Sequence, residues 1–175
     1  MPGISYELNP VTRITAGAVG TPGKRTFYIQ ARRDRQVVTL LCEKQHVEVL
    51  GRGIEEFLKE LQEKSPDLPG ASDAFDPASM ALEEPLEPAF HVGQLGLGYD
   101  RDNDLLVLVA RELVTEEMTE EEASSARFWA TRSQMRAMAK FGLEVVKRGR
   151  PICPACRRPM DPEGHLCPRS NGHAH

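Results

Sequence analysis

The chain has 175 residues, 40% of them hydrophobic and 27% charged, which suits one globular domain with a small appendage. No run of about 18 apolar residues occurs, and the first residues lack the basic and apolar parts of a secretion signal, so we expect a cytoplasmic protein without a membrane span. Residues 1–126 hold 12 basic and 23 acidic side chains, a balance of −11, whereas residues 127–175 hold 10 basic and 3 acidic ones, a balance of +7, so the basic end either binds a partner or neutralises the acidic part.

Four strands are predicted before residue 43, over residues 6–8, 12–19, 26–32 and 37–42. The third alternates Phe27, Ile29 and Ala31 with more polar side chains, which is the period of two of a half-buried strand. Residues 44–64 change to spacings of three and four between apolar side chains, which predicts an amphipathic helix. Its apolar stripe consists of Val47, Leu50, Ile54, Phe57, Leu58 and Leu61.

The segment 65–89 contains five prolines, which indicate a long surface connection, partly mobile and without regular structure. A second hairpin is predicted after it, with strands over residues 90–99 and 105–112. Thr119 and Glu122 then match a capping box, in which the side chain of each residue accepts a hydrogen bond from the backbone N–H of the other at the start of a helix. The box predicts a helix from about Glu120 to Arg148.

Together these elements predict an α+β fold, with an antiparallel sheet of five to six strands and two helices in a domain over residues 1–150. A small zinc ribbon is expected over residues 151–175. The order hairpin–helix occurs twice along the chain. It fits an internal duplication and equally fits any compact α+β domain.

The strongest motif is Cys153-Pro154-Ala155-Cys156, because two thiols separated by two residues have the spacing of a structural zinc knuckle. Cys167 is the predicted third ligand. His173 is preferred to its rival His165 as the fourth, because His165 lies so near Cys167 that a chain wrapping a single ion would be strained.

Zinc is favoured over a disulfide and over a disordered tail with a redox pair. A cytoplasmic chain keeps its thiols reduced, and a tail of 25 residues with almost no apolar side chains cannot fold on burial alone. Four protein ligands leave no open coordination position, so the predicted ion is structural and not catalytic.

No catalytic constellation is visible in the sequence. His46 and His91 are the only histidines outside the tail, and a lone histidine on a mostly apolar element is usually a packed or surface residue. Cys42 lies in an apolar strand and is predicted to be a small core residue. The sequence leaves open whether the chain is an enzyme.

A line of basic side chains is predicted along the last helix, where Arg132, Arg136 and Lys140 recur every four residues. Lys147 and Arg148 extend this line toward the tail. A cationic surface beside a zinc knuckle is typical of small nucleic-acid modules. We expect the line to face solvent, although neutralisation by the acidic segment 116–122 is an alternative.

Three stretches resemble a known family: PGKRTFYIQAR at residues 22–32, FWATRSQMRA at residues 128–137, and CPAC at 153–156 together with GHLCPRSNGH at 164–173. The chain is similar over nearly its whole length to the largely actinobacterial family of domain of unknown function 3090. Arg157 stands where such proteins often place glycine, and residues 65–89 match poorly. The resemblance implies no activity, and it includes both His165 and His173 in the signature.

The leading functional hypothesis is a cytoplasmic interaction or adaptor module, with the zinc ribbon and its basic flank as the contact surface for a protein partner. Nucleic-acid binding through the same surface is the first alternative. An enzyme with its site in the α+β domain is the second, because a fold does not determine a function.

Overall fold

A computed structural model describes residues 2–21, 23–72 and 74–148, so the predicted zinc ligands lie outside the described residues. Seven strands form one sheet in the order β1-β7-β6-β5-β4-β3-β2. The strands are β1 (Ser5–Leu8), β2 (Arg13–Val19), β3 (Thr26–Arg33), β4 (Gln36–Cys42), β5 (Pro88–Asp100), β6 (Leu105–Glu112) and β7 (Ser125–Thr131), and the helices are α1 (Lys44–Lys64) and α2 (Arg132–Arg148).

The described chain repeats three strands and a helix, first as β2-β3-β4-α1 and then as β5-β6-β7-α2. Strands within each half are antiparallel, but β4 pairs with β5 and β1 with β7 in parallel. The prediction of a purely antiparallel sheet is therefore wrong, and the sheet has seven strands instead of five to six. Parallel pairing of β4 and β5 requires a long crossover, which α1 and residues 65–87 supply.

The sheet must be strongly curled, because its two edge strands are almost consecutive in the chain. Only residues 9–12 join β1 to β2, and such a connection spans at most roughly 18 Å. The edges of a flat sheet of seven strands would lie about 29 Å apart. Val11 N donates to Trp129 O in β7, and Thr12 N donates to Arg32 O in β3, both at 2.7 Å. The connection is therefore bonded to a strand next to each of the two sheet edges.

The prediction that one helix covers residues 120–148 is wrong over its first part. Thr119 and Glu122 do form a capping box, but it closes only a single 3-10 turn, Glu120–Glu122. Residues 125–131 then form strand β7, in which Ala126, Phe128 and Ala130 are fully buried and alternate with more exposed side chains. This period of two is that of a strand with one buried face.

Both helices pack on the same face of the sheet, which we call the inner face. Its buried strand residues include Ile29, Leu40 and Leu108, all 0% exposed. The helices also pack against each other at glycines. A Cβ at Gly51 would lie 2.7 Å from Leu143 Cγ, and one at Gly142 would lie 3.1 Å from Val47 Cγ1. Backbones so close leave no room for larger side chains at these two positions.

Residues 76–87 cover the opposite, outer face of β2, β3 and β4, so this part of the proline-rich connection is fastened to the sheet and contains a 3-10 helix, Pro77–Met80. Thr15 Oγ1 donates to Met80 O at 2.7 Å. The buried Gln30 side chain donates to Glu83 O at 2.9 Å and accepts from Glu83 N at 2.7 Å. The Gln30 amide thus exchanges one donated and one accepted hydrogen bond with the backbone of Glu83, as two paired strand residues do.

Candidate interaction groove between the two helices

An open groove of about 690 Å³ lies between α1, α2 and the loop at residues 70–71. Its lining combines side chains of both charges with apolar surface. The lining residues are Arg52, Glu55, Glu56, Leu58, Lys59, Gln62 and Glu63 from α1, Arg132, Arg136 and Leu143 from α2, and Gly70 and Ala71 from the loop.

Arg132 anchors one end of the groove. Its Nε and Nη2 donate to Asp104 Oδ1 and Oδ2 at 2.9 and 3.1 Å, and its Nη1 donates to Pro69 O at 2.5 Å. Tyr99 OH also donates to Asp104 Oδ1, at 2.7 Å. The hydrogen bonds from Arg132 hold the pKa of Asp104 below its ordinary value, and the same bonds raise the pKa of Arg132. Burial, followed by the bond to Asp104, raises the pKa of Tyr99.

Arg136 and Glu55 face each other on the two walls of the groove. Arg136 Nη1 donates to Ala71 O at 3.0 Å. Arg136 Nε lies 3.8 Å from Glu55 Oε2, so these two groups form an ion pair but are too far apart for a hydrogen bond. Arg136 Nε and Glu55 Oε1 are both buried without a hydrogen-bond partner. The two walls of the groove therefore contain one unused donor and one unused acceptor, both of them buried.

The loop wall of the groove is held in place by side chains from both helices. Gln62 Nε2 donates to Leu68 O at 3.0 Å, and Ser133 Oγ accepts from Ser72 N at 3.0 Å. Phe75 then packs edge-on against Phe141 of α2, with ring centroids 5.8 Å apart. The groove is therefore formed before any partner binds.

The residues of the predicted basic line differ in burial and in partners in the structure. The expectation that Arg132 faces solvent is wrong, since its side chain is only 10% exposed and binds Asp104. Arg136 is half-buried in the groove, whereas Lys140 and Lys147 are exposed. Arg148 pairs with Glu144 at 3.6 Å on the surface of α2. The partners of Arg132 and Arg136 are Asp104 and Glu55, which lie outside the acidic segment 116–122.

Each histidine outside the tail has a structural contact. His46 Nδ1 accepts from Glu43 N at 3.0 Å, which helps to cap the start of α1. His91 Nε2 lies 3.0 Å from Glu43 Oε1. Cys42 is buried, and burial together with the charge of Glu43 raises its pKa to about 12, so the thiol is unreactive at neutral pH.

The zinc prediction concerns residues outside the part of the chain that the structure describes, so the structure does not test it. Within the described part, no group of three or more histidine, cysteine, aspartate or glutamate side chains is placed to hold a metal ion. Cys153, Cys156, Cys167, His165 and His173 lie outside the described residues. Sequence reasoning missed Glu55 and Asp104 as ion-pair partners of α2, because they come from elements far away along the chain.

Comparison with known proteins identifies one family. The model of the family described as "Protein of unknown function (DUF3090)" matches residues 6–167. Neither the curated proteins nor the solved structures contain a match to the chain. In the described part of the chain, neither helix has the length and apolar character needed to cross a membrane.

Proposed function

The chain belongs to the DUF3090 family, and we propose that it is a protein-interaction module that binds a polypeptide segment in the groove between α1 and α2. The proposal includes a structural zinc ion in the tail. We place the protein in the cytoplasm, where the zinc-binding thiols stay reduced.

The observation that carries the proposal is the unused pair in the groove. A buried donor or acceptor without a partner costs roughly 1–3 kcal/mol, so a ligand that satisfies both atoms gains affinity. A peptide group offers one N–H and one C=O. Its N–H would donate to Glu55 Oε1, and its C=O would accept from Arg136 Nε, the two atoms that have no hydrogen-bond partner in the structure and that a small rotation of their side chains would expose to the groove.

The charges of the groove favour a peptide over a nucleic acid. Four basic side chains line it, but three glutamates lie among them, and Asp104 neutralises Arg132 from outside the lining. Phosphate binding needs a surface of one sign, and its affinity rises with the number of unneutralised cations. A peptide that carries both signs of charge suits this groove better.

The zinc part of the proposal rests on the chemistry of the donor set. Three thiolates and one imidazole are the ligands of a common structural zinc site. The fourth cysteine, Cys42, is buried in the core with a pKa of about 12 and is excluded as a ligand. Cys153, Cys156 and Cys167 with His173, or His165 in its place, therefore form the proposed set.

Peptide display on the purified full-length chain tests the groove. We expect selected peptides to carry mixed charge and to lose at least about ten-fold in affinity with Glu55→Ala or Arg136→Ala, the loss that corresponds to 1.4 kcal/mol. Glu144→Ala and Arg148→Ala are matched controls, because they remove an ion pair on α2 outside the groove. These controls should bind as the wild type does.

Two outcomes would count against the groove. Peptides that bind equally well to the Glu55 and Arg136 variants would place the interaction elsewhere. Salt-dependent binding of duplex or single-stranded nucleic acid, lost on charge reversal at Lys140 and Lys147, would support the nucleic-acid alternative instead.

Metal analysis tests the zinc site independently of the groove. We expect one equivalent of zinc in protein purified without chelators, and loss of the metal in Cys153→Ser. Because metal binding supplies the folding free energy of such a module, residues 151–175 should unfold while the main domain stays folded. His173→Ala and His165→Ala, compared side by side, identify the fourth ligand.

A further inference from the structure

The segment that follows α1 returns across the sheet and covers the outer face of the first half. Met80 is buried on this face, and the row Thr15, Gln30 and Thr39 beneath the segment is at most 3% exposed. A Cβ at Gly17 would meet Leu82 Cγ at 3.0 Å, so the cover is in direct contact with the strand. The first half thus has helices on one face and a proline-rich segment on the other.

The outer face of β5, β6 and β7 has no such cover among the described residues. Its centre is apolar: Gly98, Val107 and Trp129 are paired across the three strands, and in the next row Gly96 pairs with Val109, which is followed on β7 by the exposed Arg127. Val107, Val109 and Trp129 are only partly buried, and in the described chain no atom lies within 4 Å of a Cβ built at Gly96 or Gly98.

We propose that the tail, residues 149–175, packs on this outer face of β5, β6 and β7. It follows α2 as residues 65–87 follow α1, in the second copy of the same three-strand-and-helix unit. The two segments are similar in length, 27 and 23 residues, and in proline content, with five and four prolines. The tail has Ile152, Met160 and Leu166 to place on the apolar centre.

Length and charge both permit this arrangement. A chain of 27 residues reaches up to about 90 Å, whereas three strands are only about 10 Å across. Residues 113–124, which connect β6 to β7 at one end of the face, contain five glutamates and no basic residue. The tail contains four arginines and two acidic residues, so its charge complements that of the connection.

Trp129 is the only tryptophan of the chain and lies on the proposed contact face, so its fluorescence reports the docking directly. In the full-length protein we expect weak quenching by acrylamide. Met160→Asp should increase the quenching and shift the emission to longer wavelength, because it places a charge in the apolar contact. Ala174→Asp adds the same charge near the end of the tail and should leave both signals unchanged.

A second pair of variants tests the face from the sheet side. Gly96→Gln adds a side chain into space that is open in the described structure, so the sheet should stay folded, as circular dichroism can verify, while Trp129 becomes more accessible to acrylamide. Gly70→Gln is the matched control, because its Cβ also meets no atom within 4 Å but lies on the loop by α1 and α2.

Equal quenching in wild type, Met160→Asp and Gly96→Gln would overturn the proposal. So would protection of Trp129 that depends on protein concentration and appears with dimers in light scattering, because a second copy would then cover the face. Zinc content is measured for each variant. Docking without zinc would overturn only the zinc proposal, and zinc binding with an exposed Trp129 would overturn only the docking.

Discussion

Gly51 and Gly53 lie two residues apart in α1 and should respond in opposite ways to alanine. Alanine in place of a helical glycine stabilises a helix by about 0.5–1 kcal/mol, because it reduces the freedom of the unfolded chain. At Gly53 the new Cβ would be 3.8 Å from Leu97 Cδ1, an ordinary van der Waals contact. Gly53→Ala should therefore raise the free energy of unfolding by about that amount.

At Gly51 the same methyl group meets α2. Its Cβ would lie 2.7 Å from Leu143 Cγ and 3.2 Å from the backbone oxygen of Ala139. The helices must therefore move apart, and overpacking of this kind costs about 1–3 kcal/mol. After the gain in helix propensity, Gly51→Ala should lower the free energy of unfolding by up to about 2 kcal/mol.

Urea unfolding followed by circular dichroism measures both variants against the wild type. The midpoints should move in opposite directions with unchanged m-values, and the melting temperature should differ by about 2–4 °C for each kcal/mol of difference. If Gly51→Ala were as stabilising as Gly53→Ala, the close packing of α1 on α2 at Gly51 would be refuted.

Three further predictions concern the outer face, the groove and the thiols. Gln30→Leu leaves Glu83 N and O without their partner and should lower the free energy of unfolding by about 1–3 kcal/mol, whereas Gln94→Leu, at an exposed strand position, should change it little. Asp104 has a lowered folded-state pKa, so it stabilises the fold above its ordinary value of 3.8 and loses this effect as pH falls through the folded value. The stability of Asp104→Asn should accordingly be lower by about 1 kcal/mol at neutral pH, because the pair is partly screened by solvent, and should converge with the wild type in acid, as pH-dependent urea titrations would show. A thiol reagent at neutral pH should modify three of the four cysteines after chelation, and the fourth, Cys42, only in denaturant; modification of all four in the folded, chelated protein would contradict the burial of Cys42.

The local hydrophobic pattern was sufficient to predict the bounds of an element where that element has one apolar face and polar residues at both ends. The bounds of α1 and of β6 agree with the prediction, since each carries a continuous period between polar connections. The four strands before residue 43 were predicted to within one residue at every end. The resemblance to the family is confirmed by the match over residues 6–167. The zinc ligands remain a prediction from spacing.

Local pattern was insufficient where two periods overlap. Phe128 and Met135 are seven residues apart, which places them on one face of a helix, while Ala126, Phe128 and Ala130 alternate as in a strand. Pairing with β6 and β1 decides for the strand, because a strand between two neighbours satisfies its backbone hydrogen bonds on both sides.

The sequence alone determined which stretches carry an apolar face and which residues have the spacing of metal ligands. Only the tertiary structure decided what those faces and charges meet. Arg132 was predicted to face solvent, but its side chain donates hydrogen bonds to Asp104, which lies 28 positions earlier in the chain. Gly51 lies inside α1, where glycine lowers helix propensity, but the structure places it in close contact with α2. The partner of a side chain depends on which distant segments pack against its element. The hydrophobic period of a single element does not contain that information.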